Sequence, residues 1–316
     1  MPVSKRCSFV GVVDGVRLHW VEYGHQGTRP PVVLLHGLND SHLTWRQIAP
    51  DLARDRRVLV LDLPGHGLSD RPDASYELAW YARIVAGWME ALGLSEVDVV
   101  GHSLGGGIGL MLLRVCRPRI RRLVLAAPGG LGKEISVALR FVSLPGVAGI
   151  IERVGQPFMA LGTWLTLGRW RVGLPRGHLR AMSMMNGRRG SARAFARTVR
   201  GLMDWRGQRH SFFLHAHEIE QLPPITVLWG DRDAIIPTAH GRAFAQGVEG
   251  VRYAELAGCG HDLHHDDPRS FRSAVREALD VDRWPPMRLR GTLATPPRLA
   301  GRSADSYGPC LASVSQ

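Results

Sequence analysis

The stretch G-H-S-L-G at residues 101–105 decides the fold of this chain. It follows an apolar run at residues 97–100 and precedes a segment with helical character. Glycine at both ends lets a strand turn sharply into a helix, because a side chain at either position would collide with neighbouring backbone. Ser103 then stands at the apex of the turn with its hydroxyl exposed, which is typical of a nucleophilic serine. The five residues are a weak signal alone, so their meaning depends on a base and an acid elsewhere in the chain.

Candidates for both partners follow in the chain order serine, acid, histidine. A buried-strand pattern, I-T-V-L-W-G, leads into a loop that carries Asp231 and Asp233. A shorter strand at residues 251–256 ends in a glycine-rich turn with His261. A histidine at such a strand exit can reach across the sheet edge to Ser103. The residues alone leave both aspartates open as the acid.

Two further motifs complete an ordered series. P-V-V-L-L-H-G-L-N at residues 31–39 predicts a buried strand that ends in an H-G-x element, and D-L-P-G-H-G-L-S-D at residues 62–70 has the form D-x-P-G-x-G-x-S. With G-x-S-x-G and the W-G-x-x-D-x-x-x-P segment at Trp229, this series resembles the alpha/beta-hydrolase superfamily, in its serine-nucleophile, esterase and lipase-like branch with a helical cap. The resemblance extends from about Val10 to Leu279.

The resemblance implies a role for the residues of each motif. Asp233 would be the acid that orients His261, and Asp231 would be a turn residue that caps the loop. The backbone N–H groups of Leu38 and Leu104 would form the oxyanion hole, since two preorganised donors stabilise a developing negative charge. This chemistry is expected to need no cofactor and no metal.

The rhythm of strands and helices predicts an α/β fold with a doubly wound, mostly parallel sheet and an inserted helical cap. An opening hairpin is expected to turn at Asp14 and Gly15. We divide the chain into a first core segment at residues 1–129, a cap at 130–222, a second core segment at 223–283 and a disordered or loosely attached tail at 284–316. Within the cap, helices are predicted around Glu134–Val142, Val147–Ala160 and Ser191–Asp204.

In such a fold the cap covers the active site, so its apolar side chains are candidates for the substrate pocket. The candidates are Phe141, Leu144, Phe158, Met159, Met182, Met184 and Met185. The alternative interpretation is that most of them pack the cap against the core.

The formal net charge of +12 comes almost entirely from arginine, since Lys5 and Lys133 are the only lysines. A compositional bias toward arginine accounts for much of this charge, so no nucleic-acid partner is predicted. Arg193, Arg197 and Arg200 fall on one face of a predicted helix. We interpret them as a solvated face, and the alternative is contact with an anionic substrate or weak contact with a membrane surface. The sequence does not indicate the oligomeric state.

The expected compartment is the cytoplasm. No stretch approaches the roughly 18 apolar residues of a membrane span, and the first residues lack the apolar core of a secretory signal. Cys7, Cys116, Cys259 and Cys310 have no metal-ligand spacing and are expected to be reduced thiols.

The motifs together predict a cofactor-free serine hydrolase that cleaves small, apolar carboxylic esters through an acyl-enzyme. Two alternatives stay open: a carbon–carbon bond hydrolase of aromatic ring-fission products, and a ligand receptor that retains the triad. The serine at position 103 disfavours epoxide hydrolases and haloalkane dehalogenases, which resemble this chain but place aspartate there. Leu38, Asn39 and His102 stand where carbon–carbon bond hydrolases usually have a glycine-rich oxyanion loop and an asparagine, which favours the esterases.

Overall fold

The computed structural model describes residues 6–24, 27–116, 120–170, 176–216, 219, 221–281, 284–285 and 287–289, with the backbone alone at 166–170 and 176. The strands in this part of the chain are β1 (Arg6–Val13), β2 (Val16–Tyr23), β3 (Arg29–Leu35), β4 (Arg56–Leu61), β5 (Val97–His102), β6 (Ile120–Ala126), β7 (Met203–Asp204), β8 (Gly207–Gln208), β9 (Ile225–Gly230), β10 (Val248–Glu249), β11 (Arg252–Leu256) and β12 (Arg288–Leu289). The α-helices are α1 (Ala49–Leu52), α2 (Leu78–Ala91), α3 (Leu104–Val115), α4 (Val137–Val142), α5 (Pro145–Val154), α6 (Met159–Trp170), α7 (Arg176–Asn186), α8 (Ser191–Leu202), α9 (Ala239–Gly247), α10 (Leu263–Asp266) and α11 (Pro268–Asp280).

Eight strands form one sheet in the order β1-β2-β4-β3-β5-β6-β9-β11. β2 is antiparallel to both of its neighbours, β1 and β4, and all other neighbouring strands of this sheet are parallel, so the predicted mostly parallel, doubly wound arrangement is confirmed. All residues of β5 and β9 are buried, as expected for central parallel strands that are covered on both faces. The exits of β5, β9 and β11 therefore meet at one edge of the sheet, where ligands bind in open α/β folds.

The first two strands form the predicted hairpin. Val13 pairs with Val16, and the turn between them places Asp14 at φ 48° and Gly15 at φ 75°. Two successive positive φ values match the twist of the flanking strands, which is why Asp-Gly is favoured in such a turn.

Five helices, α4 to α8, lie in the segment predicted as a cap, between β6 and β9. Here the interpretation of a solvated arginine face is corrected. Arg193 donates a hydrogen bond to the main-chain oxygen of Arg71 at 2.8 Å, and Arg197 contacts both Asp73 and Glu152. Arg200 alone of the three is exposed. The sequence pattern predicted the correct helix face but not the acidic and carbonyl groups of the core and of α5 that contact it.

The predicted loose tail is corrected for its first residues. Trp284 donates from its indole N–H to the main-chain oxygen of Gly250 at 3.0 Å, and the guanidinium of Arg252 lies 4.4 Å from the centre of its ring. β12 pairs antiparallel with β10. The tail prediction for residues 290–316 lies outside the described residues.

We expect Trp284→Ala to lower the free energy of unfolding by about 1–2 kcal/mol, because it removes a hydrogen bond and a cation–π contact. Urea unfolding measures the change. The matched control is Trp164→Ala, since Trp164 is 53% exposed and should change stability by about 0.5 kcal/mol or less. Equal effects of the two substitutions would contradict a docked Trp284.

The helices of the described residues differ from membrane-spanning helices. None of their helices has both the length and the apolar character that crossing a bilayer requires.

Candidate active site

Ser103 occupies a strained turn between β5 and α3. Its backbone lies at φ 52° and ψ −111°, a conformation that a side-chain-bearing residue adopts only when its surroundings enforce it. A Cβ atom on Gly101 would lie 2.4 Å from the main-chain oxygen of Gly105, and one on Gly105 would lie 2.2 Å from that of Leu35. Glycine is therefore required at both positions, as the motif predicted, and the turn presents the Ser103 hydroxyl beyond the sheet edge.

His261 and Asp233 meet Ser103 in one hydrogen-bonded chain. The Ser103 hydroxyl donates to His261 Nε2 at 2.9 Å, and His261 Nδ1–H donates to Asp233 Oδ2 at 2.8 Å. The side chain of His261 is 14% exposed and that of Asp233 is fully buried. This arrangement can remove a proton from the serine and stabilise the resulting imidazolium.

The surroundings of Asp233 keep it ionised. Burial alone would raise the pKa of this carboxyl, but hydrogen bonds from His261 and from the N–H groups of Ile235 and Ile236 lower it below its usual value. The Trp229 indole N–H adds a fourth donor at 3.0 Å. An aspartate held in this way fixes both the orientation and the tautomer of the histidine.

The side chain of Asp231 points away from His261. It is exposed, and its Oδ1 accepts the N–H of Gly258 at 2.7 Å, which ties the loop after β9 to the loop after β11. This is the turn-capping contact expected for it. Of the two aspartates in the loop, only Asp233 touches His261 within the described residues.

Leu38 and Leu104 are the predicted backbone donors of the oxyanion hole. Both residues border the same cavity as Ser103, and Leu104 opens helix α3, whose first N–H groups have no helical partner. No hydrogen bond within the described residues uses either N–H. The oxyanion hole at these two residues stays a prediction.

A cavity of about 530 Å³ opens over Ser103. This volume suits a small organic molecule. Apolar side chains from the core and the cap dominate its wall: Leu38, Leu78, Ile135, Ala138, Leu139, Phe195, Leu202, Met203, Ala234, Ile235 and Ile236. Charged groups are few, namely Asp40, Arg232, Asp262 and Asp266.

The predicted pocket residues are wrong. None of Phe141, Leu144, Phe158, Met159, Met182, Met184 and Met185 borders the cavity. On α4 the inward positions are Ala138 and Leu139, so Phe141 falls on the opposite side and is 61% exposed. Met182 is fully buried and its sulfur accepts a hydrogen bond from Ser41, so it packs the cap against the core. The rotation of each helix about its own axis decides which side chains border the cavity, and the sequence pattern did not determine this rotation.

His102, directly before the serine, is a site residue that the sequence reasoning did not assign. It borders the cavity, and its Nε2–H donates to the main-chain oxygen of His261 at 2.9 Å. Burial, followed by repulsion from His261, lowers the pKa of His102 to about 4, so it is neutral at pH 7. The contact holds the His261 loop in place. A signal was present in the sequence: a histidine, His102, directly precedes the serine, and the G-H-D-L-H-H segment at residues 260–265 is rich in histidine.

Cys259 is not a competing nucleophile. It is buried, and burial raises the pKa of its thiol to about 11. A thiol that stays protonated at neutral pH reacts poorly.

Three groups of histidine and aspartate among the described residues have metal-ligand spacing. They are His19, His42 and Asp62; Asp40, His264 and His265; and His102, Asp262 and His264. In the first group both histidines donate from Nδ1 to Asp62, and in the second the Thr44 hydroxyl contacts both histidine rings at 2.6 and 2.8 Å. Hydrogen bonds therefore account for the ring orientations in these two groups.

Asp62 is the centre of a buried polar network at the end of β4. Besides the two histidines, it accepts the N–H groups of His42 and Leu68. Burial opposes its charge, but these hydrogen bonds bring the pKa of Asp62 far below its usual value. The carboxylate of the D-x-P-G-x-G-x-S motif is thus a structural group.

Removing the Asp62 carboxylate should destabilise the folded protein. We expect Asp62→Ala to lower the free energy of unfolding by about 3–5 kcal/mol, because several buried donors lose their acceptor. Asp70→Ala is the control, since the exposed Arg17–Asp70 pair should contribute about 1 kcal/mol or less.

Because the folded-state pKa of Asp62 is lowered, the stabilisation that its carboxylate provides is present at neutral pH and is lost as the pH falls below about 4. Urea unfolding across this pH range should show a shallower acid loss in Asp62→Ala than in the wild type; parallel profiles would contradict the account.

Comparison with known proteins agrees with this geometry. The family model for the alpha/beta hydrolase fold matches residues 30–144. An uncharacterized protein of Mycobacterium tuberculosis is 30% identical over 263 residues, which cover 81% of this chain and 76% of that protein. The chain belongs to the alpha/beta hydrolase family. The predicted superfamily membership is thereby confirmed.

The chain is also similar to other hydrolases in sequence and in structure. The 2-hydroxy-6-oxo-2,4-heptadienoate hydrolase of Pseudomonas putida is 27% identical over 267 residues, covering 81% of this chain and 91% of that enzyme. Among solved structures, a hydrolase from Pseudomonas aeruginosa has a TM-score of 0.70 at 25% identity, covering 87% of this chain and 98% of the other. The enol-lactonase from Burkholderia xenovorans has a TM-score of 0.70 at 24% identity, covering 85% and 99%.

Proposed function

We propose that this alpha/beta hydrolase cleaves neutral, apolar carboxylic esters through an acyl-enzyme formed on Ser103. The observation that carries the proposal is the hydrogen-bonded chain from Asp233 through His261 to Ser103, which ends in a mainly apolar cavity. A serine activated in this way attacks carbonyl carbon, and an apolar wall favours substrates without charge.

The reaction would proceed in two halves. Ser103 Oγ attacks the ester carbonyl while His261 Nε2 takes its proton, and the N–H groups of Leu38 and Leu104 stabilise the oxyanion. The C–O bond then breaks, and His261 returns the proton to the departing alcohol. Water, deprotonated by His261, attacks the acyl-serine and releases the carboxylic acid, which restores the Ser103 hydroxyl.

The charges around the cavity support a neutral substrate. Asp40, Asp262 and Asp266 border it, and Arg232 is its one formally cationic side chain among the described residues. Acidic groups repel an anionic substrate and do not hinder an uncharged ester. Hydrolysis of esters is therefore favoured over chemistry that builds up a stabilised anion in the pocket.

Carbon–carbon bond cleavage is the second candidate. The relatives favour it, since the Pseudomonas putida enzyme and the 2-hydroxymuconate semialdehyde hydrolase of Pseudomonas sp., 37% identical over 113 residues, carry that chemistry in their names. The same serine, histidine and aspartate would serve. The acidic cavity border argues against it, because a dienolate anion would need nearby cations.

A substrate panel separates these candidates. Purified protein is assayed with p-nitrophenyl esters of graded acyl length and with dienol-ketone ring-fission products. We expect many turnovers on the esters and a kcat/KM for the dienol ketones that is lower by an order of magnitude or more. Faster cleavage of the dienol ketones would select the second candidate. Release of about one equivalent of product from every ester would instead indicate a receptor that retains the triad.

A further inference from the structure

The cap carries an exposed apolar surface that the hydrolase reaction does not use. α5 ends at Val154, Gln156–Phe158 forms a 3₁₀ turn, and α6 begins at Met159. Gly155, between α5 and the turn, keeps helical backbone angles, so the chain continues as one helical segment with a bend at a proline. We call its exposed apolar residues the cap face: Ile150, Val154, Phe158, Leu161, Trp164 and Leu165.

Within each helix, the spacing of the cap face places its residues on one side. Five of its residues, at 150, 154, 158, 161 and 165, recur at intervals of three or four, and Trp164 lies beside them. All six side chains are more than half exposed. Exposed large residues scattered singly are ordinary, but a continuous stripe of them marks a surface that meets a partner.

Two polar side chains of the same segment, Glu152 and Gln156, point inward. Glu152 accepts a hydrogen bond from Arg197 of α8 at 2.8 Å. The Gln156 amide donates to the main-chain oxygens of Gly187 and Arg188, and its oxygen accepts the N–H of Ala192. The outer side of the segment is therefore mainly apolar, with the exposed Arg153 beside Val154.

Charge identifies the partner. Residues 137–216 contain thirteen arginines, no lysine and two acidic residues, so this stretch holds nearly all of the net charge of +12. Arg153, beside Val154, is exposed, and the exposed Arg206 lies over the ring of Trp205 at 4.9 Å. Aromatic and aliphatic side chains combined with arginine suit the boundary between lipid headgroups and acyl chains. A protein partner for so basic a surface would need a matching acidic and apolar face, whereas an anionic bilayer supplies both properties everywhere.

We propose that the cap face docks on the surface of an anionic lipid bilayer. The apolar side chains of α5 and α6 enter the headgroup layer, and exposed arginines such as Arg153 contact the lipid phosphates. α4 connects this surface to the reaction site, because Ala138 and Leu139 border the cavity while Phe141 is exposed. The docking is a property of the surface and does not depend on which ester is cleaved.

Vesicle co-sedimentation of the full chain tests the proposal. The probes are vesicles of phosphatidylcholine alone and of equimolar phosphatidylcholine and phosphatidylglycerol. We expect binding to the anionic vesicles that is at least tenfold tighter than to the neutral ones and that weakens as salt is added. The triple variant Ile150→Ser, Phe158→Ser, Leu165→Ser should bind at least tenfold more weakly than the wild type. Its melting temperature and its turnover of a water-soluble ester should be unchanged, because these side chains are exposed and lie away from the cavity.

The matched control replaces exposed apolar residues outside the cap. Val10→Ser combined with Val12→Ser should leave vesicle binding unchanged, since these two valines lie on β1. Failure to bind either vesicle, or equal binding by the wild type and the folded triple variant, would overturn the proposal. So would a dimer in sedimentation velocity that the triple variant abolishes while vesicle binding is absent, because the cap face would then join two copies of the chain. The ester assay is scored separately, so loss of docking and loss of hydrolysis are distinguishable.

Discussion

Replacing Ser103 with alanine is expected to reduce kcat for ester hydrolysis by about 10⁴-fold or more. The hydroxyl is the atom that would form the covalent bond, and the Ser103→Ala protein keeps the turn because the glycines on either side of it are untouched. His261→Ala should reduce kcat by a similar factor, since Ser103, His261 and Asp233 act as one unit. Steady-state kinetics on a chromogenic ester, with circular dichroism to verify folding, measures both losses.

The chain offers a control with the same residue types. The Ser8 hydroxyl lies 2.7 Å from His19 Nε2, and His19 Nδ1–H donates to Asp62 at 2.7 Å. This second serine–histidine–aspartate series does not border the cavity. Ser8→Ala should therefore leave kcat unchanged. Loss of activity in Ser8→Ala together with retention in Ser103→Ala would refute the assignment of the nucleophile.

Asp233→Asn is expected to reduce kcat by about three orders of magnitude. The amide cannot accept the Nδ1–H of His261 as the carboxylate does, so the histidine would lose both its tautomer and its stabilising charge. The loss should appear in kcat with little change in KM, because Asp233 is buried behind the histidine.

Asp231→Asn is the matched control for this change. Asp231 lies in the same loop and carries the same charge, but it contacts the Gly258 N–H instead of a histidine. We expect its effect on kcat to be no more than about threefold, with some loss of stability as the loop contact weakens. A larger loss of kcat in Asp231→Asn than in Asp233→Asn would show that Asp233 is not the acid.

The sequence was most informative where backbone geometry permits few residues. The turn at Ser103 needs glycine on both sides because neighbouring main-chain oxygens leave no space for a Cβ, so the motif predicts its own structure. The positions of Asp233 and His261 follow from the sheet, since parallel strands release their loops at one edge. These three residues, far apart in the chain, could therefore be placed together from motifs.

The cap could not be predicted in the same detail. Its helices are short and are interrupted by glycine and proline, so a small error in a helix boundary rotates every side chain on it. Ala138 and Leu139 reach the cavity where Phe141 was expected. Two of the helices, α6 and α7, had no distinct counterpart in the prediction. Trp284 illustrates another limit, because its partners, Gly250 and Arg252, are more than thirty residues away and leave no local pattern.

Rapid-quench mass spectrometry during ester turnover tests the central claim most directly. The wild-type protein is mixed with excess ester, quenched with acid within one turnover time, and examined intact and after proteolysis. We expect a mass increase of one acyl group on the peptide that contains Ser103, formed at least as fast as kcat. Steady turnover without any adduct, or an acyl group on a residue other than Ser103, would contradict it.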